Sequence, residues 1–326
     1  MRTITLKHML LAAIAMAPLA AQAQQQLYQM HNNGAVWRHT GTPCSGESCP
    51  GWQLLDNNSR TRQLEAAGSQ LYQMHNNGSI FKYAGGRSWQ ALDNNPRTRA
   101  FAAGWGNLYQ MHNDGAIWRY TGTPCGGASC PGWQLLDNNL KTVAIAAASN
   151  RFYQMHNDGG IWRYTGTPCS GASCPGWQQL DRNPRTRAIV AANYNLYQMH
   201  GDGAIWRHTG EPCTMAGCPG WQRLDANPRT VAIVGVEENL YQLHHDGTIW
   251  RYTGTPCTGL SCPGWQRLDN NPKTVAIDGY GNNLYQIHND GMIWRYTGTP
   301  CGGASCPGWQ RIDNNPRGKA IEGGKP

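Results

Sequence analysis

Charge is scarce in this chain, and so is phenylalanine: Asp, Glu, Lys and Arg make up 14% of the 326 residues, and Phe occurs three times. No segment after the N-terminal leader approaches the ~20 apolar residues of a membrane helix, so no membrane insertion is expected. No stretch carries the 3.6-residue apolar period of an amphipathic helix, which excludes a helical bundle. Catalytic signatures are missing as well. There is no nucleophile elbow, no metalloprotease His pair and no Gly-rich phosphate loop, so no catalytic residue, cofactor or metal is expected. The basic excess is modest and spread evenly along the sequence, which does not make a nucleic-acid footprint.

The first residues combine a basic start (Arg2, Lys7), an apolar stretch from Met9 to Ala20 and a small-x-small signal at Ala21-Gln22-Ala23. This reads as a secretory signal peptide over residues 1–23, cleaved near Ala23, giving a secreted or periplasmic protein. Without Arg2 and Lys7 the mature chain holds 25 basic and 19 acidic residues, a net charge of +6.

What is present is one unit, repeated. Its Tyr recurs at Tyr28, Tyr72, Tyr109, Tyr153, Tyr197, Tyr241 and Tyr285, with units starting near residues 27, 71, 108, 152, 196, 240 and 284. Each unit holds four short segments of strand character: a small-residue strand such as Val143 to Ala147, then LYQMH, then IWRY after an Asn-Asp-Gly or Asn-Asn-Gly turn, then WQLLD. Asp-Gly and Asn-Gly between strands are strong hairpin signals. Four strands per unit make a propeller blade. The fold class is therefore all-β, and residues 24–326 are expected to form a single seven-bladed β-propeller. The mature chain starts on a second strand and ends on an innermost one (Lys319-Ala320-Ile321), so the C-terminal strand should pair with the N-terminal one and close the ring. The varying third position of the WQ segment reads as a solvated outer edge.

Twelve Cys fall in six pairs of one spacing: Cys44/Cys49, Cys125/Cys130, Cys169/Cys174, Cys213/Cys218, Cys257/Cys262 and Cys301/Cys306. The second unit lacks both Cys of its loop together, so the pairs are expected to be disulfides within each loop. Zinc would need four ligands, and a blade offers two Cys. Such a short closure rigidifies a loop and does not hold a ring together.

Connectivity puts the His-Asn-Asp-Gly turns and interblade links on one face, and the Cys loops on the other. The first face carries His112, Asn113, Asp114, Asp137, Asn138, Arg185, Arg229 and their counterparts. Amides, carboxylates and guanidinium groups beside aromatic rings suit sugar hydroxyls and the apolar face of a sugar. The other reading is structural, with Asn and Asp capping their own turns and Arg tying blades together. Of the two repeated Trp series, the IWRY ring is expected to be interblade core. The GWQ ring (Trp52, Trp133, Trp177, Trp221, Trp265, Trp309) is expected to be a partly exposed platform. Trp105 lies outside both. The seven equivalent His are too far apart for one ion and read as hydrogen-bonded turn or interblade residues.

The unit AIAA…LYQMHNDGxIWRYTG…WQLLDNN resembles the blade repeat of the tectonin and tachylectin-type propeller lectins, from which the Cys loop is a departure. The resemblance implies a multivalent carbohydrate-binding protein with several weak sites between or atop blades. Its partners would be glycans or glycoconjugates on a cell surface. The alternative is an exported scaffold propeller that binds protein.

Overall fold

A computed structural model describes residues 27–324, and the leader sequence at residues 1–23 lies outside them. The described residues form 28 strands in seven antiparallel four-stranded sheets, each blade running from an inner strand at the axis to an outer strand at the rim. Blade 4 shows the pattern: Thr142–Ala148, Arg151–His156, Gly160–Tyr164 and Trp177–Arg182 lie side by side in chain order.

The inner strands are rich in Ala because they crowd one another. A Cβ on Gly235 would lie 2.2 Å from the Ala192 Cβ of the neighbouring blade, so only a residue without one fits there. The turn glycines answer a second demand. Gly115 has φ +82°, and a Cβ there would lie 2.3 Å from the Asn139 carbonyl oxygen, so the Asp-Gly turn both needs a left-handed residue and presses against the interblade link.

Ring closure is as expected. The last strand, Gly318–Gly323, pairs antiparallel with the first, Leu27–His31, setting Gln29 opposite Ile321 and Tyr28 opposite Glu322. Blade 1 is thus built from both ends of the chain.

The core is divided into layers between blades. Ala148, Tyr153, Met155, Ile161 and Leu180 of blade 4 pack on Ile189, Ala191 and Leu196 of blade 5, and Trp221 of blade 5 completes that layer. Seven such clusters correspond to the seven interfaces of the ring. Aromatic burial has an electrostatic consequence: the second-strand tyrosines Tyr109, Tyr197 and Tyr285 are pushed up to about 12 by desolvation of the phenolate.

Candidate functional site: the interblade clefts

The second and third strands of each blade place His and Trp together. In blade 1 Gln29 is directly opposite Trp37, so these side chains share one sheet face, and His31 returns to that face two residues later. The His31 and Trp37 rings stack with centroids 5.5 Å apart. Blades 3 to 7 repeat the pair, as in His112 and Trp118 at 5.8 Å or His200 and Trp206 at 5.7 Å, while blade 2 sets His75 against Phe81 at 4.4 Å. All seven histidines are buried, and burial holds each below the ordinary imidazole value. The histidines carry the expected turn hydrogen bonds through their backbones, as in His112 N–H to Ala116 O at 2.9 Å, and the His244 ring pairs with Thr248 Oγ1 at 3.1 Å, while Nε2 of His31, His75, His112, His156, His200 and His244 makes no hydrogen bond within the protein.

All six expected disulfides are present: Cys44–Cys49, Cys125–Cys130, Cys169–Cys174, Cys213–Cys218, Cys257–Cys262 and Cys301–Cys306, with Cα–Cα distances of 4.0–4.1 Å. The placement of their loops differs from the expected one, because the Cys loops do not stay on the far face. Each loop folds across the rim onto the preceding blade, where its first Cys donates its N–H to the outer-strand carbonyl: Cys125 to Ala91 (3.1 Å), Cys213 to Gln179 (3.0 Å), Cys301 to Arg267 (3.1 Å). The second Cys of these loops, Cys130, Cys218 and Cys306, is half-buried. The guanidinium groups of Arg223, Arg267 and Arg311 on the outer strands reach back to the loop carbonyls of Gly259, Gly303 and Gly46. Asn94, Asn270 and Asn314 donate side-chain N–H groups to Ala128 O, Ala304 O and Glu47 O at 3.0, 2.9 and 2.8 Å. The outer edge read as solvated is therefore covered by the neighbour's loop, and the loop clasps one blade to the next. Blade 2, which lacks the loop, offers blade 1 no such clasp.

This clasp brings both loop sets into one cleft. Between blades 7 and 1, Gln29, His31, Trp37, Cys49, Pro50 and Trp52 face Asp313 to Pro316 around a cleft of about 490 Å³. The His, the GWQ Trp and the link Asn positions singled out in the sequence meet here, joined by the IWRY Trp that was expected in the core.

The two Trp series are both half-buried, and they differ in what their indole N–H groups meet. Trp52, Trp133, Trp177, Trp221, Trp265 and Trp309 are half-buried, and besides the partly exposed face expected of them they staple one blade to the next. Each indole N–H donates to an outer-strand carbonyl of the preceding blade, as in Trp133 to Leu92 (2.9 Å) and Trp221 to Leu180 (2.8 Å). The indole N–H groups of Trp37, Trp118, Trp162, Trp206 and Trp294 in the IWRY ring have no partner within the protein, and Trp250 bonds Thr248 Oγ1 at 3.2 Å. The reason is register: the GWQ residue begins the outer strand, where the neighbouring blade's backbone is within reach. Trp105 is exposed (64%), in a turn outside both series.

The remaining candidates divide. Asp137 is buried, accepting from Gln154 Nε2 at 2.6 Å and from the Asn138 N–H at 2.9 Å, and Gln154 in turn accepts from Thr142 Oγ1 at 2.6 Å. The same Thr–Gln–Asp relay recurs as Thr186–Gln198–Asp181 and Thr230–Gln242–Asp225. It is a structural unit that sequence reasoning missed, although an identical Gln in every LYQxH string was its signal. Burial raises the carboxyls of Asp93, Asp269 and Asp313 in these positions. Only at the seam does Gly318 stand where other blades have Thr, leaving Gln29 Oε1 without a partner. Asn138 is exposed, with its Oδ1 3.6 Å from Cys174 Sγ in the neighbouring loop. Asn113 is an exposed turn residue whose backbone N–H donates to Arg97 O at 2.8 Å, and Asp114 caps its own turn by accepting the Ala116 N–H at 3.1 Å. Arg185 and Arg229 are exposed and face Asp202 and Asp246 at 3.8 Å. Asn113, Asp114, Arg185 and Arg229 lie on the loop face at positions whose seam counterparts Asn32, Asn33 and Arg317 are outside the cleft lining, whereas Asp313 and Asn314, the counterparts of Asp137 and Asn138, line it.

A family model described as the Tectonin domain matches residues 60–289, well over half of the sequence. The chain belongs to the tectonin family. No curated protein matches the sequence of this tectonin propeller. Among solved structures, Prp20p from Saccharomyces cerevisiae, described with its binding to Gsp1p and histones, is similar with a TM-score of 0.59 at 9% identity, over 89% of this chain and 86% of that one. Human WBSCR16 gives 0.52 at 10% identity over 77% and 80% of the two chains. YCF48 bound to D1 peptide gives 0.52 at 15% identity over 83% and 90%. These likenesses concern the fold. Six disulfides in the tectonin propeller point to an oxidising, extracellular setting.

Proposed function

We propose that this chain is a secreted, multivalent lectin whose monosaccharide sites are the interblade clefts at the rim. The observation that carries the reading is the seam cleft. There a stacked His31–Trp37 wall, the Asn314 and Asn315 amides and the Cys49–Pro50 edge surround a volume of about 490 Å³, open to solvent and supplied by two blades. An indole face takes the C–H side of a sugar, and amides take its hydroxyls. The His, the Trp, the Cys loop and the Asn315-type amide recur in blades 3 to 7, with Arg182 and Ala226 in place of the Asn314-type amide at the clefts before blades 5 and 6, while blade 2 lacks the Cys loop and has Phe81 for Trp, which limits the number of sites to six. Each site would be weak, and several copies on one rigid disc raise apparent affinity for a multivalent surface by about 10²–10⁴. The reading involves no catalytic step.

The test is a glycan array of the oxidised protein beside a variant with Trp37, Trp118, Trp162, Trp206, Trp250 and Trp294 all changed to Phe, the residue blade 2 already carries. Sugar-competed binding that disappears in the folded variant is the expected result. A blank array from the folded parent would overturn the lectin reading in favour of a protein-binding scaffold, a role suggested by the partners named for Prp20p and YCF48.

A further inference from the structure

The charge that looks even along the sequence is uneven in space. Every interblade link presents a cation just before the inner strand, joined by Arg182 on the link between blades 4 and 5, and in blades 3 to 7 that cation faces an Asp of the adjoining turn: Arg97–Asp114, Arg185–Asp202 and Arg229–Asp246 at 3.8 Å, Lys141–Asp158 and Lys273–Asp290 at 3.0 Å. Blades 1 and 2 carry Asn33 and Asn77 at the Asp position, so the exposed Arg317 and Arg60 have no carboxylate there. A second cation follows two residues later, at the mouth of the central channel. It is Lys319, Arg62 and Arg99 in blades 1 to 3, all exposed, and Arg187 in blade 5, whereas blades 4, 6 and 7 have Val143, Val231 and Val275.

Blades 1 to 3 therefore present six cations against one turn carboxylate, Asp114, and the loop carboxylate Glu47 at the seam, and blades 4 to 7 present six, Arg182 included, against four. The relay aspartates, half-buried at Asp56 and buried in the other six blades, occur in every blade and do not create this difference. Glu65 and Glu322 lie three residues deeper along the inner strands, accepting backbone N–H groups from Ala103 at 3.3 Å and Ala66 at 3.2 Å. The sector is continuous, since the Arg62 guanidinium reaches the Arg99 carbonyl of the next blade. Link and channel-mouth cations also share one surface, as shown in blade 5, where Arg185 and Arg187 line a single depression with Asp202.

We propose that the loop face of blades 1 to 3 binds an acidic polysaccharide, a sugar chain bearing carboxylates. The choice of a sugar polymer rests on the lectin reading. The clustered charge stands whether or not the interblade clefts bind sugar. Guanidinium forks pair with carboxylates in bidentate geometry, and clustered charge of one sign raises the local concentration of a polyanion. Nucleic-acid surfaces interleave cations with aromatic platforms for stacking, and the exposed aromatic residues Trp105 and Tyr194 lie in turns on the opposite face.

The probe is immobilised polygalacturonate, with neutral dextran and a single-stranded oligonucleotide as comparisons, read at about 0.05 and 0.5 M salt. The key variant is Asn33→Asp with Asn77→Asp, which gives blades 1 and 2 the turn used by the other five and keeps its cap, since Asn33 and Asn77 already accept the Ala35 and Ser79 N–H groups at 3.2 Å. The parent should bind polygalacturonate at low salt and release it at high salt. The double variant should bind about tenfold more weakly, and Arg185→Gln with Arg187→Gln in blade 5 should stay within about twofold of the parent. Failure of the parent to bind, equal binding by the double variant, or preference for the oligonucleotide would each overturn the proposal. Polygalacturonate binding that survives a blank neutral-glycan array would support it while removing the interblade sugar sites.

Discussion

Changing Thr142 to Val removes one hydroxyl from a buried relay and leaves shape and β-branching in place. Thr142 Oγ1 donates to Gln154 Oε1 at 2.6 Å, Gln154 Nε2 donates to Asp137 Oδ2 at 2.6 Å, and Gln154 is 1% exposed. With the hydroxyl gone, the amide oxygen is left buried and unpaired, which costs about 2 kcal/mol. For a domain of this size that is a fall in Tm of about 4 °C. Thr142→Ser keeps the donor and should recover most of the loss. Thermal unfolding followed by near-ultraviolet circular dichroism reads both variants. A Thr142→Val protein melting within about 1 °C of the parent would refute the relay as a stabilising unit.

Acid should weaken the ring in a defined window. The seven second-strand histidines have folded values below the ordinary one, so the unfolded chain binds more protons once pH falls below about 6.5; stability is whole above that pH and declines below it. The raised carboxyls of Asp93, Asp269 and Asp313 act in the opposite sense at lower pH, favouring the fold as they protonate, so urea midpoints should fall most steeply between about pH 6.5 and 5. Changing Cys257 and Cys262 together to Ser should cost at most about 2 kcal/mol in denaturant titrations and leave the β-sheet circular dichroism unchanged. Trp133→Phe removes the N–H held by Leu92 O and should cost about 1 kcal/mol more than the same change at Trp118, whose N–H has no partner; equal losses would undo the assignment of the GWQ ring as staples. Ending the chain after Arg317 deletes the closing strand and should abolish cooperative unfolding.

The ring was legible in the sequence because its determinants are local and periodic. The Tyr spacing counts the blades, Asn-Asp-Gly marks the hairpins, and the strand registers of Leu27 and Ile321 predict the seam. The Cys pairs were legible from their joint absence in blade 2. What could not be read was how neighbouring blades meet. The GWQ and IWRY tryptophans have the same chemistry, and only packing decides that Trp133 reaches a carbonyl of the preceding blade while Trp118 packs on His112. The Cys loop crosses the rim through outer-strand backbone contacts that no spacing announces, and Asp137, a plausible ligand by type, is spent on Gln154.

The seam also dictates a chronology. Leu27–His31 is buried along its whole length only once Gly318–Gly323 has arrived, nearly three hundred residues later in the chain. Until then the first-made strand is an open edge carrying Leu27, Tyr28 and Met30, ready to accept any matching strand. Every copy of the protein carries such a strand at its far end, so crowded refolding should exchange closing strands between molecules. Dilution, or a tether joining the two termini, should restore closed single rings.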